Sequence, residues 1–363
     1  MGNLQMNVSE IEQPRALIVE GTVSGHRLYY VRILASHLAQ SGWNVTVVTR
    51  TGGLETKEAL LHLAGLSESV SLVESESLRL CDIESISRDV SAVLTVVPDG
   101  DWLLKELPKR VGWRGSGKLK FLIMREDSQS ANAAKKLLGT VSKRILRTLV
   151  GTFPRVSAVT LKSAVWMGRQ RNIARDPVTR LAKSTDLIHA AARFGLDDGR
   201  YWFAIVGAIS ARKNLSLVAQ AISEFGDDRI GFLVAGLCPT DELAKAQPWM
   251  DRLRTKGVKV VVLNRLLTDL EVDSFVGAVD CVVLAHSNEG PSGLFGKAAG
   301  YGTRVVAAGA VSLRVDTAFI PNLATWAPLS VPDVANALEA ASVKPAPSKV
   351  DGLGPDDFAR AMS

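Results

Sequence analysis

The chain has 363 residues, of which 47% are apolar and 22% charged, so it is long enough for two domains with ample cores. Its three cysteines, Cys81, Cys238 and Cys281, lie far apart without metal-site spacing or an even disulfide set, which fits a reducing cytoplasm. The N-terminal sequence lacks the basic start and apolar core of a signal peptide, and no apolar run approaches the roughly 20 residues of a spanning helix. We therefore expect a cytoplasmic protein that is soluble or rests on a membrane surface.

Positive charge is concentrated in one block of the chain. Residues 102–183 hold 19 Lys/Arg against 4 Asp/Glu, whereas residues 1–101 hold 7 against 13 and residues 184–363 hold 17 against 20. A block of this kind predicts an anionic partner, such as a membrane surface, a phosphorylated acceptor or nucleic acid.

Ala133–Val150, inside this block, has helical spacing. Leu138, Val141, Ile145 and Leu149 form one apolar row, and five Lys/Arg residues occupy the other faces. The row predicts one of two structures, which are a peripheral helix packed on a sheet and a basic amphipathic helix that docks on anionic lipid. In the second case residues 102–183 as a whole would contact the anionic membrane surface. Because aromatic residues are scarce there, we expect no nucleic-acid partner.

The first half of the chain alternates strand-like and helix-like segments. Arg15–Gly21, Arg27–Gln40 and Asn44–Thr49 read as strand, helix and strand, a right-handed crossover whose ligand edge would be Gly21–His26. No G-x-G-x-x-G fingerprint is present, so we exclude a dehydrogenase. Further strands are predicted at Val70–Val73, Val90–Val97, Leu119–Met124 and Val156–Leu161. Such alternation predicts a parallel sheet covered on both faces.

The turn-rich segment Phe194–Arg200 predicts a domain boundary, with domains at residues 1–195 and 196–363. Strands are predicted after it at Tyr201–Gly207, Ile230–Gly236 and Val258–Leu263, and helices at Asn214–Phe225 and Leu267–Val276. The second domain therefore repeats the strand and helix alternation of the first.

Asp280–Gly309 reads DCVVLAHSNEGPSGLFGKAAGYGTRVVAAG. The flanking strands are Cys281–Ala285 and Arg304–Ala308. Between them Ser292 is placed as the N-cap of a helix over Gly293–Tyr301, and Gly302 supplies the left-handed stop. The free amides and positive dipole of such a helix predict an anion site, with Glu289 at its mouth.

Glu289–Val306 resembles the nucleotide-sugar motif of family-four retaining glycosyltransferases, roughly E-G-F-G-L-x-x-x-E-A-M-A-x-G-x-P-V-V. The matching positions are Glu289, Gly290, Ala298, Gly302, Val305 and Val306. Three positions diverge: Ser292 replaces a Gly, Arg304 replaces the Pro, and Lys297 replaces the second Glu of the E-x7-E motif.

The resemblance implies an α/β protein with the GT-B fold, in which two Rossmann-like domains have parallel sheets facing a central cleft. The N-terminal domain would serve the acceptor and the C-terminal domain would bind the nucleotide sugar. The last helix, Asp356–Met362, would cross back to the first domain. The implied reaction transfers a sugar, with retention, from a nucleotide diphosphate sugar to a polysaccharide or lipid-linked glycan acceptor.

The resemblance also implies roles for individual residues. Glu289 would accept hydrogen bonds from sugar hydroxyls. Lys213 lies within a residue of the Lys in the family's V-G-R-L-x-x-x-K-G loop and would neutralise the leaving diphosphate. Ala208 stands at the Arg position of that loop, and Arg212 would substitute for the missing Arg. Donor contacts are expected at Gly207, Asn264, Arg265, Gly290, Ser292, Gly293, Leu294 and Lys297. Acceptor-side residues are expected at Ser24, Gly25, His26, Glu126 and Asp127. Glu126 and Asp127 have an alternative role, which is to complement the dipole of the following helix. No metal and no cofactor beyond the donor sugar is expected.

Lys297 leaves three alternatives open, because an ammonium has no acceptor for the ribose hydroxyls that the family's second Glu binds. Lys297 donates to ribose oxygens or a phosphate in an enzyme with altered nucleoside preference. Alternatively, the site has decayed, and the chain is a non-catalytic partner of another transferase. In the third alternative Lys297 is a salt-bridged helix residue and other groups hold the ribose.

Overall fold

The computed structural model describes residues 13–23, 27–124, 133–290 and 292–363. The chain divides into two compact units. The first comprises the residues up to Leu161 together with Gln170–Ala174 and Asp356–Ser363, and the second comprises Lys162–Arg169 and Arg175–Pro355. We describe each unit by itself.

The first unit contains a seven-stranded sheet in the order β3-β2-β1-β4-β5-β6-β7, and its strand pairs run parallel. The strands are β1 (Arg15–Val19), β2 (Asn44–Arg50), β3 (Val70–Ser75), β4 (Leu94–Val97), β5 (Lys118–Ile123), β6 (Val156–Lys162) and β7 (Ile173–Arg175). The helices are α1 (Arg27–Gln40), α2 (Lys57–Leu63), α3 (Leu80–Asp89), α4 (Leu103–Lys109) and α5 (Ala133–Val150). Ala16 and Ile18 enter one buried cluster, and Leu17 and Val19 enter another. Both faces of this sheet are thus buried, as its continuous apolar strands predict.

The second unit contains a six-stranded parallel sheet in the order β10-β9-β8-β11-β12-β13. Its strands are β8 (Tyr201–Val206), β9 (Ile230–Ala235), β10 (Lys259–Leu263), β11 (Cys281–His286), β12 (Arg304–Gly309) and β13 (Ala324–Ala327). Its helices are α6 (Ser184–Phe194), α7 (Leu215–Phe225), α8 (Thr240–Thr255), α9 (Asp269–Ala278), α10 (Gly293–Tyr301), α11 (Val311–Phe319) and α12 (Val331–Ser342), with a 3-10 turn at Ala211–Lys213. The two sheets give the GT-B architecture expected from the resemblance.

The second sheet has a topological switch point between β8 and β11. The chain runs outward from β8 through β9 to β10 and then returns to β11 on the other side of β8. The loops that leave β8 and β11 therefore diverge, and a crevice opens at the carboxyl ends of these two strands.

The last helix, α13 (Pro355–Met362), follows the second unit in sequence, but residues from Asp356 onward belong to the first. The Phe358 ring stacks on Tyr30 of α1 with centroids 5.0 Å apart. Phe358, Ala359 and Met362 are fully buried in the core of the first unit. The expected return of this helix is confirmed.

The predicted boundary at residue 195 does not coincide with the division between the units. The ring centroids of Phe194 and Phe275 lie 5.1 Å apart, and Leu196 is buried in the core of the second unit. The turn after Phe194 therefore connects α6 to β8 inside the second unit. The division lies earlier because the chain passes between units within residues 161–175.

The apolar row of α5 does not pack on the sheet. Leu138, Val141, Ile145 and Leu149 are 69%, 45%, 62% and 43% exposed, whereas Val150 is fully buried. The helix packs against the core of the first unit through another face, which includes Leu146 and Val150, so the predicted row is not its packing face. Among the described residues no helix is both long and apolar enough to cross a membrane.

Candidate functional site

The crevice at the switch point begins at Gly207, directly after β8. Gly207 has φ +80°, a conformation that is costly for residues with a side chain. A Cβ on Gly207 would lie 3.6 Å from Lys213 Nζ and 3.9 Å from Leu294 Cδ1. The structure therefore brings together three of the predicted site residues. They are Gly207 after β8, Leu294 in α10 and Lys213 in the 3-10 turn.

Lys213 is a buried cation. Its side chain is 6% exposed, and Nζ donates a hydrogen bond of 2.6 Å to the carbonyl oxygen of Val206. Burial, with a smaller contribution from Arg212, lowers the pKa of Lys213 to about 8, so the ammonium is charged at neutral pH. Within the described ranges no carboxylate pairs with it. A buried positive charge without a counter-charge is costly, so this position is a candidate anion site.

The turn that carries Lys213 is fastened to the end of β11. Asn214 has the left-handed φ of +50°, and its Nδ2 donates to the carbonyl oxygens of Ala285 (2.9 Å) and Arg212 (3.0 Å). The backbone N–H of Ser287 also donates to the Arg212 carbonyl at 3.0 Å. The Arg212 side chain is exposed, which leaves its guanidinium available at the rim of the crevice.

His286, the last residue of β11, was not among the predicted site residues. Its side chain is 6% exposed, and burial, followed by the charges of Arg212 and Lys213, lowers its pKa to about 4. The predicted strand ended one residue earlier, at Ala285. Extending the alternation of Val282 and Leu284 by two positions would have placed His286 on the buried face.

Helix α10 forms as predicted, between the N-cap Ser292 and Gly302 at φ +77°. Phe295, Ala298 and Ala299 are buried in one of the two cores of the second sheet. Its first turn carries no acidic residue, and the Ser292 side chain makes no capping hydrogen bond. The positive end of the helix dipole is therefore not neutralised by its own first turn. This end of α10 lies at the crevice, because Leu294 in the first turn is close to Gly207. Gly293, the first residue of the helix, has open space around it.

Glu289 caps a different helix. Its carboxylate accepts hydrogen bonds from the backbone N–H groups of Val311 (3.0 Å) and Ser312 (2.9 Å), at the start of α11. Gly290 reinforces the link, since its N–H donates to Ser312 Oγ at 3.2 Å. These contacts fix the exposed carboxylate in position.

Lys297 is turned into the protein. Its ammonium donates to the carbonyl oxygen of Thr179 at 3.0 Å and forms an ion pair with Asp273. Asp273 is completely buried and also accepts hydrogen bonds from the N–H of Leu181 (2.6 Å) and the hydroxyl of Tyr301 (3.2 Å). This geometry is that of the third alternative, a salt-bridged helix residue.

Asn264 and Arg265 follow β10 and have local partners. Asn264 Oδ1 accepts a hydrogen bond of 2.8 Å from the N–H of Cys238. The Arg265 guanidinium makes two hydrogen bonds, of 3.0 and 2.5 Å, to the carboxylate of Glu271 in the first turn of α9. Neither residue is among the groups that meet at Gly207.

The predicted acceptor-side residues lie outside the described residues. These are Ser24, Gly25, His26, Glu126 and Asp127. In the part of the chain that is described, no three His, Cys, Asp or Glu side chains cluster as a metal site.

Solved structures with similar folds include a glycosyltransferase, a sucrose-phosphate synthase and a protein in complex with UDP. A glycosyltransferase from Rickettsia africae matches with a TM-score of 0.65 at 11% identity, over 91% of this chain and 88% of that one. Sucrose-phosphate synthase from Thermosynechococcus elongatus matches with a TM-score of 0.60 at 15% identity, over 96% and 95%. HepE from Anabaena, in complex with UDP, matches with a TM-score of 0.60 at 13% identity, over 96% and 94%.

No protein-family model and no curated protein sequence matches the chain. At such low identities the structural similarity shows the fold alone, which is GT-B.

Proposed function

We propose that the chain is a glycosyltransferase that binds a nucleotide diphosphate sugar in the crevice between β8 and β11. The observation that carries the proposal is the buried ammonium of Lys213 at a topological switch point, unpaired by any described carboxylate. Ligands of open α/β sheets bind at this place. HepE, which has the same fold, is solved with UDP and with UDP-glucose, and this supports a nucleotide-sugar ligand.

The proposed chemistry is stabilisation of a leaving diphosphate. Negative charge grows on the diphosphate as the bond to the anomeric carbon breaks, so cations fixed beside it stabilise the transition state more than the ground state. Lys213 would supply a buried, desolvated positive charge. The exposed Arg212 side chain would supply a second positive charge at the rim of the crevice. The amides of Gly293 and Leu294 add the positive end of the α10 dipole.

We assign Glu289 to recognition of the transferred sugar. Its carboxylate is held by two backbone N–H groups of α11, and a carboxylate is an acceptor suited to sugar hydroxyls. Retention of configuration, and placement in the family-four type, are proposed from the match of Glu289–Val306 to that motif. The configuration of the anomeric proton in the product, read by NMR, tests this assignment, and inversion would overturn it.

We further propose that the acceptor is a polysaccharide or lipid-linked glycan at the cytoplasmic face of a membrane, with the first unit on the acceptor side. The support is the exposed row Leu138, Val141, Ile145 and Leu149 on α5, whose spacing of three and four residues places it on one helix face. Arg144, between these positions, is also exposed. An apolar row with cations beside it suits anionic lipid.

The alternative function is that of a non-catalytic GT-B partner of another transferase. The observation that favours it is the orientation of Lys297, which gives the ribose neither the family's carboxylate nor a free ammonium. The two functions differ in one measurable property, which is release of the nucleoside diphosphate.

The donor site is tested with Lys213→Met, which keeps the length of the side chain and removes its charge. UDP-, GDP-, ADP- and dTDP-sugars are assayed for binding by calorimetry and for nucleoside diphosphate release. We expect wild type to bind one class and Lys213→Met to bind it about 10- to 100-fold more weakly, the loss of one charge-assisted hydrogen bond. Lys245→Met, at an exposed salt-bridged lysine on α8, is the control and should match wild type.

Two outcomes separate the functions. Release that falls with Lys213→Met and Glu289→Ala supports the transferase. Binding without release, in the presence of lipid-linked and polysaccharide acceptors, supports the partner protein. Absence of any binding across the panel would refute the donor site itself.

Membrane association is tested by co-sedimentation with phosphatidylglycerol vesicles and with pure phosphatidylcholine vesicles. Ile145→Glu, in the middle of the exposed α5 row, should abolish binding to the anionic vesicles. Leu60→Glu, at a 63% exposed leucine of α2 in the same unit, is the matched control and should not. Equal loss in both variants would refute a specific role for the row.

A further inference from the structure

His286 has an unpaired polar atom at the crevice. Its Nε2 is fully buried and has no hydrogen-bond partner among the residues described, although more than nine-tenths of the side chain is enclosed. An unpaired buried donor or acceptor is destabilising. Among the described residues nothing satisfies this atom, so it can donate a hydrogen bond to an additional partner or accept one from it.

The position of His286 directs the imidazole toward the predicted anion site. Val282 and Leu284 belong to the core that contains Phe295 of α10, whereas Val283 belongs to the opposite core. By this alternation His286 lies on the α10 face of the sheet, at its carboxyl edge. The N-terminus of α10 and the Lys213 ammonium lie at the same edge.

The charges that act on His286 are both positive. Arg212 and Lys213, on the 3-10 turn next to β11, disfavour the imidazolium, and among the described residues no carboxylate appears as a cause that opposes them. Burial acts in the same direction and lowers the pKa of His286 to about 4, so the imidazole is neutral in the free protein. A bound anion would reverse this balance, because it would attract the imidazolium and offset the two cations.

We infer that His286 is a third side-chain hydrogen-bond donor to the anion in this crevice, and that binding of a nucleotide sugar's diphosphate is coupled to protonation of the His286 imidazole. The inference rests on the proposed function. The proton comes from solvent and adds to the unprotonated ring nitrogen, and no other bond changes. Nε2–H then donates to a phosphate oxygen, which satisfies the unpaired atom.

A specific pH dependence follows. By linkage, an uptake of one proton strengthens binding by at most about tenfold for each unit that the pH falls. Lys213 contributes only near its own pKa of about 8, because below neutral pH it is already charged. Proton uptake in mildly acidic solution therefore reports on His286.

The experiment is titration calorimetry of the full chain with UDP-glucose at about pH 6 in buffers of different ionisation enthalpy, which counts the protons bound. UDP-glucose is the probe because its diphosphate is esterified at both ends, whereas the terminal phosphate of UDP would itself titrate with a pKa of about 6. We expect wild type to take up about half a proton or more per UDP-glucose.

Two variants test separately the protonation of His286 and its hydrogen bond to the anion. His286→Gln keeps an N–H donor that cannot be protonated further, so binding should persist with no proton uptake and with an affinity independent of pH in this range. His286→Leu removes the donor and should weaken binding about tenfold or more. His189→Gln, at an exposed histidine of α6 in the same unit, is the control and should take up protons as wild type does. Circular dichroism and thermal unfolding establish that each variant is folded.

The outcomes also separate this inference from the proposed function. UDP-glucose binding without proton uptake in wild type, or with uptake that persists in His286→Gln, overturns the role of His286 and leaves the donor site intact. If neither UDP-glucose nor any other sugar of the panel binds, the donor site fails, and the inference fails with it.

Discussion

The ion pair between Lys297 and Asp273 gives a sharp prediction, because it explains the largest divergence from the family motif as a structural feature. Asp273 is completely buried, and the Lys297 side chain is 23% exposed. Removing one member of a buried pair costs about 3–5 kcal/mol, since the other charge is left uncompensated. In Lys297→Met, Asp273 would keep the Leu181 N–H and the Tyr301 hydroxyl. We therefore expect the lower end, about 3 kcal/mol.

The partner substitution completes a double-mutant cycle. Asp273→Asn leaves the Lys297 ammonium with the Thr179 carbonyl, and it should also destabilise the second unit. The double variant leaves no charge at this buried pair, so its cost should fall below the sum of the single costs by about 2 kcal/mol or more. A chain of two units does not qualify as a single two-state system. Hydrogen exchange of the α9 and α10 amides is therefore the assay, because it reports opening free energies locally.

A contrary result would have a clear form. If Lys297→Met left the exchange of α9 and α10 unchanged but weakened UDP-glucose binding tenfold, Lys297 would be a donor ligand and the structural explanation would be refuted. Additive single costs in the cycle would equally refute a direct interaction.

Two further predictions concern the second unit. Gly207→Ala forces a side chain into the left-handed conformation at φ +80°, which costs about 1–2 kcal/mol. A shift of the backbone that relieves this strain would move the turn beside Lys213, since the new Cβ would lie 3.6 Å from Nζ. Thermal unfolding and UDP-glucose titration should both show a loss, and wild-type values in both would contradict it. Burial raises the pKa of Asp316 to about 6, so Asp316 contributes stability when protonated that is lost as the pH rises from about 4 to about 6. Asp316→Asn, whose side chain can still accept from Ser163 (2.6 Å in wild type), should flatten the melting temperature across this range, and an unchanged slope would exclude Asp316 as its origin.

The sequence predicts the sheets and helices well where the pattern is local. Strand runs of buried apolar residues, the N-cap Ser292 and the left-handed Gly302 are all properties of neighbouring residues, and they placed α10 correctly. The boundary between the units was not predictable in this way. The chain passes between units near the three-residue strand Ile173–Arg175, which is too short to have a recognisable period.

In the candidate site, too, features set by neighbouring residues were predictable and contacts with distant residues were not. Lys213 was predicted from its loop, and the structure places it at the crevice. The partners of Glu289 and the ion-pair partner of Lys297 lie 22 to 24 residues away in sequence, and Thr179, the other partner of Lys297, lies 118 residues away. A motif that spans none of these partners contains no information about them. The predicted strand ended at Ala285, whereas β11 extends to His286. This difference of one residue left His286 out of the predicted site, because its burial follows from its position in the strand.

The hydrogen bonds of Asn214 have a consequence for the kinetics of ligand capture. Its side chain bridges the carbonyl oxygens of Arg212 and Ala285, so the backbone of the 3-10 turn is already immobilised when the crevice is empty. Immobilising a flexible loop during association slows encounter and lowers affinity. In this chain that ordering is completed during folding, and the rate of capture should be governed by diffusion and by the motion of the exposed Arg212 side chain. Salt would then slow association by screening Arg212 while the Lys213 contribution, shielded from solvent, stays nearly constant.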